Sequence, residues 1–252
     1  MARRRHSGRR RRGSLSFLYK LLSMLVICGA IVAALTLFFR VNTVVVSGQQ
    51  RYTQQQILDA SGIQTGDNLF LLNKYDVANQ IIGELPYIET IRINRKLPDT
   101  LLVEVQECSA VLAVVQENNA WLVSPTGKIV DRKAAAAADQ YPIIDGCTLL
   151  SPSVGSSLAL GTEYARKQES LLSLLGQLDQ EGLMDQVDAV HLGEADVLTM
   201  DYAGRFQVEM HYHTDYSRDI RALLKTIEKL ETNETGTIEL TWDDGSVHFI
   251  GN

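Results

Sequence analysis

The chain contains 252 residues, of which 45% are hydrophobic and 21% are charged, and its 24 basic and 30 acidic residues give a net charge of −6. Eight of the bases lie in residues 1–20, which carry no acid, and removing these and Arg40 leaves 15 bases against 30 acids in residues 41–252. A body with a net charge near −15 argues against nucleic-acid binding, which needs a basic surface.

The first predicted element is the segment Leu21–Phe39, nineteen residues without charge or proline. As a helix rising about 1.5 Å per residue, it covers about 30 Å, the thickness of a bilayer's hydrocarbon core. Because the arginine-rich tail carries the flanking positive charge, we expect residues 1–20 in the cytoplasm and residues 41–252 outside it. The tail is also suited to anionic lipid, with nucleic-acid contact as the alternative.

Three other interpretations of this segment fit the residues less well. A cleavable signal peptide has a shorter apolar region followed by a site with small residues, but here the run ends in bulky side chains at residues 37–39. A lipoprotein signal needs a small residue before the cysteine, and Ile27 precedes Cys28. A buried core helix does not explain the length and the flanking charge. We therefore predict an uncleaved transmembrane helix at residues 21–40.

Residues 41–108 carry the signals of two short helices. Thr53 with Gln56 three residues later has the pattern of a capping box. Gly62 is expected to stop this first helix, and Asn73 is a good N-cap for a second.

Three strands are predicted around these helices. The β-branched run at residues 41–47 indicates the first, and alternating apolar and polar side chains at residues 91–94 and 101–106 indicate the other two. Two helices on one face of such a sheet can bury a small core. We expect that core to include Val44, Val46, Ile57, Ile81, Ile91, Ile93, Leu101 and Val103.

The β-α-α-β-β order resembles the POTRA module, and its motifs resemble those of the FtsQ/DivIB family of bacterial cell-division proteins. The matching motifs are Val44-Val45-Val46-x-Gly48, Ile57-x-x-x-Ser61-Gly62, Gly66-Asp67-Asn68-Leu69-Phe70, Leu85-Pro86-Tyr87-Ile88 and Arg95-x-Leu97-Pro98-Asp99-Thr100-Leu101. The last of these, followed by Val103-x-Val105-x-Glu107, is the most specific. The family often continues with a basic residue and a proline, where this chain has Cys108-Ser109-Ala110.

Residues 109–252 predict a mixed α/β domain that ends in a β-hairpin, so the fold class as a whole is α+β. Leucines at i, i+3, i+4 and i+7 mark a helix capped by Thr162, and a second apolar stripe marks a helix at residues 215–230. A helical turn or a solvated connector is expected at residues 132–140. Strands are expected at residues 111–115, 121–123, 128–130, 142–144, 187–192, 197–202, 206–212, 237–242 and 247–250.

The terminal hairpin turns at Asp243-Asp244-Gly245, a strong hairpin signal between apolar runs. The segment Ile238–Gly245 looks like the closing motif of the same family. We expect alternate residues of its strand, Ile238, Leu240 and Trp242, to face the core, and Thr237, Glu239 and Thr241 to lie on the other face. The resemblance implies that these six residues bind a partner by strand addition at an open sheet edge. The alternative is a closed hairpin with no partner.

No catalytic, cofactor or metal site is predicted. The chain lacks the motifs G-x-S-x-G, S-x-x-K and H-E-x-x-H and a P-loop. His211 and His213 would share one face of a strand without a third ligand, so we expect an exposed pair, and His191 is expected to be isolated. Cys108 and Cys147 are expected to be free thiols, with a disulfide as the alternative.

The resemblance implies a non-enzymatic scaffold anchored in the plasma membrane and concentrated at the division septum. Its expected partners are FtsB/DivIC-like and FtsL-like membrane proteins, with control of septal peptidoglycan synthesis as the outcome, and it needs no cofactor or small-molecule substrate. A POTRA-type transport component is the second class, although it would need a barrel of many strands. A membrane-tethered cell-wall enzyme is the third, because fold alone does not exclude catalysis.

Overall fold

The computed structural model of this protein describes residues 15–193, 196–241 and 246–252. The chain begins there with helix α1, Leu15–Phe38, which starts six residues before the predicted span and ends two residues before its predicted end. Two separate β-sheets follow, one of three strands and one of nine among the described residues. The predicted α+β class with an N-terminal apolar helix is confirmed.

The three-stranded sheet has the predicted β-α-α-β-β order. Its central strand β3 lies parallel to β1 and antiparallel to β2. The elements are β1 (Thr43–Ser47), α2 (Gln54–Ser61), α3 (Lys74–Glu84), β2 (Ile88–Lys96) and β3 (Thr100–Glu107).

Local capping explains where both short helices begin and where the first ends. The Thr53 side chain accepts from the backbone N–H of Gln56, whose side chain in turn accepts from Thr53, so the capping box is complete. Gly62 ends α2 with φ at 64°, the left-handed region that glycine enters without strain. Asn73 caps α3 by accepting from Tyr75. All three predictions are confirmed.

Six of the eight predicted core residues of this unit are buried, and Val44 and Ile91 are only half-buried. Val44 lines an open cleft with Leu58 and Ile63, so one side of it meets solvent. Its strand, β1, is an edge of the sheet.

The second sheet runs in the order β12-β11-β10-β9-β8-β7-β4-β5-β6. Two helices, α4 and α5, pack their apolar residues into the same core as its strands. The elements are β4 (Leu112–Gln116), β5 (Asn119–Val123), β6 (Ile129–Ala134), β7 (Ile143–Asp145), α4 (Ala165–Gln180), β8 (Val187–His191), β9 (Val197–Tyr202), β10 (Phe206–His211), α5 (Tyr216–Ile227), β11 (Gly236–Leu240) and β12 (His248–Gly251).

The leucine stripe of α4 is fully buried, so it is a core stripe. Two details of this region differ from the sequence prediction. Thr162 lies in a short 3₁₀ turn before α4 and makes no capping bond, because the helix itself begins at Ala165. The segment at residues 132–140 first continues β6 and then forms a 3₁₀ helix whose Ala138 is buried.

The two sheets meet through the end of the three-stranded unit that lies farthest from α1. Tyr87 packs with Leu122 and Val130 of the second sheet, and its hydroxyl donates to Asp131 at 3.2 Å. Burial, and then the nearby Asp131 carboxylate, raises the pKa of Tyr87. Lys128 adds a bond from its Nζ to the carbonyl of Ile82 at 2.9 Å. These contacts join the two units through side chains as well as through the connecting chain.

Candidate functional site

Helix α1 presents exposed apolar side chains along most of its length. Its segment Phe17–Phe38 is long and apolar enough to cross a membrane, and it is exposed throughout. A helix with apolar side chains all round needs a non-aqueous environment. The arginine-rich tail at residues 1–14, which we use to predict orientation, lies outside the described residues.

The segment around Asn68 joins the end of α1 to the three-stranded unit. Asn68 donates from Nδ2 to the carbonyls of Leu35 and Thr36, both at 3.3 Å. These carbonyls belong to the last turn of the helix, where intrahelical N–H groups run out, and that of Leu35 also accepts from the N–H of Phe39 at 3.3 Å. Leu69 N–H donates to the carbonyl of Phe39 at 3.0 Å. The helix is therefore held to the unit beyond it, a role of Asn68 that the sequence alone did not show.

The predicted partner-binding strand, β11, shows the expected alternation. Ile238 is fully buried and Leu240 is 8% exposed, while Thr237 and Glu239 are half-buried on the opposite face. Thr241 follows the strand, and its carbonyl accepts from His211 Nε2 at 2.8 Å. The predicted Trp242 and the turn at residues 243–245 lie outside the described residues.

The open edge, however, does not belong to β11. This strand pairs in parallel with β10 on one side and antiparallel with β12 on the other, with Ile238 opposite Val208 and Phe249. The prediction of an available backbone edge on β11 is therefore wrong, because its own hairpin partner covers that edge. Strand β12 is the last strand of the sheet on this side.

Besides its antiparallel ladder with β11, strand β12 is held to the sheet by an aromatic contact and by a backbone bond just beyond the ladder. The Phe249 ring packs edge-to-face against Phe206 at 6.3 Å between ring centroids, which fits a stabilising aromatic pair. At the end of the strand, Asn252 donates its N–H to the carbonyl of Thr235 at 3.0 Å. On the other face Ile250 is 55% exposed.

The direction of the main-chain groups of β12 follows from two contacts. The N–H of Asn252 points toward β11, and so does the carbonyl of Ile250, which lies 2.1 Å from where a Cβ on Gly236 would be. In an antiparallel ladder, successive residues direct their main-chain groups alternately to the two sides. The N–H and C=O groups of Phe249 and Gly251 therefore point to the open edge. No other described strand pairs with them.

The histidines differ from the sequence prediction in two ways. His211 ends β10 and bonds to the Thr241 carbonyl, whereas His213 lies beyond the strand with φ at 60°. The two imidazoles therefore do not share a strand face as predicted. His191, predicted to be isolated, is close to two carboxylates, with Nδ1 2.8 Å from Asp145 and Nε2 3.1 Å from Asp201.

The two aspartates beside His191 make its contribution to fold stability depend on pH. Burial alone lowers the pKa of His191, but the bonds to Asp201 and Asp145 outweigh it, so the pKa is raised. A group with a raised folded pKa stabilises the fold fully below its unfolded pKa, and this contribution is lost as pH rises through the folded pKa.

We therefore expect His191→Asn to reduce the free energy of unfolding more at a pH of about 5.5, below the unfolded histidine pKa, than at about 8.5. The matched control is His213→Asn, because this exposed histidine has a positive φ that asparagine also adopts. Urea unfolding of the full chain in detergent at both pH values provides the measurement. Equal losses at the two pH values would show that the cluster does not stabilise the fold through the charge of His191.

Cys108 and Cys147 are both free and half-buried. Burial raises the pKa of each thiol to about 11, so both stay protonated at neutral pH. The prediction of free thiols is confirmed. In the described part of the chain, no group of three or more His, Cys, Asp or Glu side chains is arranged to hold a metal ion.

Known proteins resemble this chain both in the three-stranded unit and beyond it. Residues 39–107 match the family described as POTRA domain, FtsQ-type. A cell division protein DivIB of Clostridium botulinum is 28% identical over 130 residues, which cover 52% of this chain and 50% of that relative. Cell division proteins FtsQ of Geotalea daltonii and Syntrophotalea carbinolica are 26% and 27% identical, over 78% and 85% of this chain and 70% and 78% of their own lengths. The chain thus spans half the length of the first relative, and the longer matches extend well beyond the POTRA domain.

Proposed function

This chain is a member of the FtsQ/DivIB family of cell-division proteins, and we propose that it is a non-enzymatic scaffold of the bacterial division machinery. The relatives that match it are named as cell division proteins. Helix α1 fits a single-pass membrane protein. We infer that the scaffold acts by holding membrane partners together during septal peptidoglycan synthesis.

The proposed arrangement has four parts. A cytoplasmic basic tail (residues 1–20) precedes the transmembrane segment (residues 21–40), and a POTRA domain (residues 41–108) and a terminal β domain (residues 109–252) lie outside the cytoplasm. The eight bases of the tail support this orientation, because positive flanks stay in the cytoplasm. Concentration at the division septum belongs to the same proposal.

The observation that carries the partner proposal is the open edge of β12. Its outward N–H and C=O groups at Phe249 and Gly251 can bond to a strand from another chain, in the manner of β-augmentation. We propose that this strand comes from an FtsB/DivIC-like protein, which is joined by an FtsL-like protein. Main-chain bonds supply affinity in this mode, and side chains supply the register.

The six residues predicted from the sequence keep a role in this arrangement. Ile238 and Leu240 hold β11 in the core and so support β12 beside it. Thr237, Glu239 and Thr241 lie on the opposite face, where Ile250 is also exposed. We propose that these side chains contact the partner across the face of the sheet. Trp242, the sixth predicted residue, lies outside the described residues.

The test removes one outward donor from the edge and leaves the inner bonds in place. Gly251→Pro takes away the N–H that points from β12 to solvent. Proline is tolerated at such positions of edge strands, because the missing N–H makes no bond within the sheet. Gly251→Ala is the matched control, because its Cβ would meet only two Phe249 ring carbons, at 3.6 and 3.8 Å. We expect Gly251→Pro to weaken capture of the full chain by the extracytoplasmic part of an FtsB-like protein, and Gly251→Ala to bind like the wild type.

Circular dichroism and melting curves of both variants show whether the sheet itself is retained. Fluorescent fusions of the same variants in dividing cells report whether a mid-cell band depends on this edge. Deletion of residues 237–252 is a poor test, since it also removes the buried Ile238 and Leu240. Binding that survives both Gly251→Pro and removal of residues 247–252 would place the partner site elsewhere.

A further inference from the structure

One end of the three-stranded unit lies next to the end of α1. Strands β1 and β3 are parallel with Thr43 opposite Thr100, so both begin at this end. The N–H of Asn42 donates to the carbonyl of Asp99 at 2.9 Å, which places the turn between β2 and β3 there as well. Asn68 reaches the last turn of α1 from the same end. Two turns, at residues 69–72 and 97–99, therefore lie at the end of the unit next to α1.

These two turns expose large apolar side chains, which we call the apolar rim. Phe70 is 50% exposed, Leu71 is 78% exposed and Leu97 is 54% exposed. Tyr75, in the first turn of α3 beside them, is 81% exposed. Apolar side chains scattered singly on a surface need no explanation, but a group of them beside an apolar helix marks an interaction surface.

The rim is rigidly held. The Oδ1 atom of Asn68 accepts from the N–H groups of Phe70 at 2.9 Å and Leu71 at 3.2 Å. Arg95 at the end of β2 donates from Nη2 to the carbonyl of Leu72 at 2.8 Å, which ties the two turns together. Because Asn68 also bonds to α1, the backbone of the turn at residues 69–72 is held in place relative to the end of the helix.

The rim is continuous with the apolar surface of α1. The Phe70 ring packs edge-to-face on Phe39 at 5.1 Å between centroids, and Phe39 in turn packs on Phe38, the last residue of the helix. Phe38 is 69% exposed. The two surfaces therefore form one apolar area, and whatever solvates the end of α1 also meets the rim.

Charged side chains of both signs lie at this end of the unit. Arg40 and Lys96 flank the rim and are exposed, and Asp67 and Asp99 lie in the adjoining turns. Basic side chains next to apolar and aromatic ones are the usual composition of a surface that lies at the headgroup level.

We propose that the rim of Phe70, Leu71 and Leu97 is a second membrane contact, inserted into the headgroup and acyl boundary of the leaflet that holds the end of α1. Such contacts lie about 5–10 Å into that boundary. The contact fixes the tilt of the three-stranded unit on the bilayer, and through the Tyr87 junction it sets the direction in which β12 is presented. This inference rests on the proposed membrane anchoring by α1.

The test measures the depth of single tryptophans in the full chain reconstituted into vesicles of phosphatidylcholine and phosphatidylglycerol. Trp121 and Trp242 are first replaced by phenylalanine, and one tryptophan is then introduced by Leu71→Trp. Leu37→Trp at the end of α1 is the positive control. Leu150→Trp is the negative control, because Leu150 is a similarly exposed leucine (57%) in the loop after β7, outside the three-stranded unit.

We expect lipids brominated near the acyl carbonyl to quench Leu71→Trp to an extent comparable to Leu37→Trp and several-fold more than Leu150→Trp. Leu97→Trp gives the same measurement on the other turn, should the first variant misfold. If Leu37→Trp is quenched and both rim variants behave like Leu150→Trp, the rim does not contact lipid, although the anchor stands. If Leu37→Trp is not quenched, the anchor itself fails. Rim tryptophans shielded from aqueous acrylamide yet unquenched by lipid would show a protein cover and overturn the proposal.

Discussion

Ile93→Ala is expected to lower the free energy of unfolding of the three-stranded unit by about 2–5 kcal/mol, the cost of truncating a buried aliphatic side chain. Ile93 is 7% exposed and lies opposite Val103 in the register of β2 and β3. Its removal leaves a cavity that the two helices cannot fill completely. Hydrogen exchange of the full chain in detergent, followed at the strands of this unit, measures the loss locally.

The control for this variant is Asn94→Ala, on the same strand and facing solvent. It is expected to change stability by no more than about 0.5 kcal/mol, as surface substitutions usually do. Because side chains of a strand alternate between faces, a slip of one residue would exchange these two results. A larger loss for Asn94→Ala than for Ile93→Ala would therefore contradict the observed register.

Gly236→Ala is expected to displace β12 and to cost on the order of 1–3 kcal/mol, as overpacking typically does. A Cβ at this position would lie 2.1 Å from the carbonyl oxygen of Ile250 and 2.9 Å from the Cα of Gly251. Both are backbone atoms, so they cannot turn aside as a side chain would. The edge strand must move away from β11, and binding of an FtsB-like partner is expected to fall with it.

Gly251 provides the matched control, because it lies opposite Gly236 in the same ladder. At Gly251 the nearest atom to an added Cβ is a Phe249 ring carbon at 3.6 Å, an ordinary contact. Gly251→Ala is therefore expected to keep both stability and binding. Protection of the β12 amides from hydrogen exchange separates the two variants. Equal protection in both would show that close approach of β12 does not require glycine at position 236.

Much of the fold could be predicted from the sequence because the deciding interactions are local. The capping box of Thr53 and Gln56 involves residues three apart, and the apolar run of α1 needs no partner within the chain. Alternation with a period of two likewise assigned Ile238 and Leu240 to one face of β11. In each case the pattern and the interaction lie within one element.

The sites that sequence alone missed all depend on residues that are distant along the chain. Asn68 reaches carbonyls of α1 more than thirty residues earlier. His191 meets Asp145 and Asp201 only because β7, β8 and β9 are neighbours in the sheet. No periodicity within a strand tells which strand will lie beside it.

The edge of the second sheet at β12 shows the difference between what local sequence patterns predict and what distant contacts decide. From the sequence alone came two terminal strands, a strong turn signal and an α+β fold of the FtsQ/DivIB type. Only the tertiary structure decided that β10 pairs with β11 in parallel, that β11 is thereby enclosed, and that β12 holds the free edge on this side of the sheet. The physical reason is that side-chain pattern determines which face of a strand is buried, whereas strand order is decided by pairing between segments far apart in the chain.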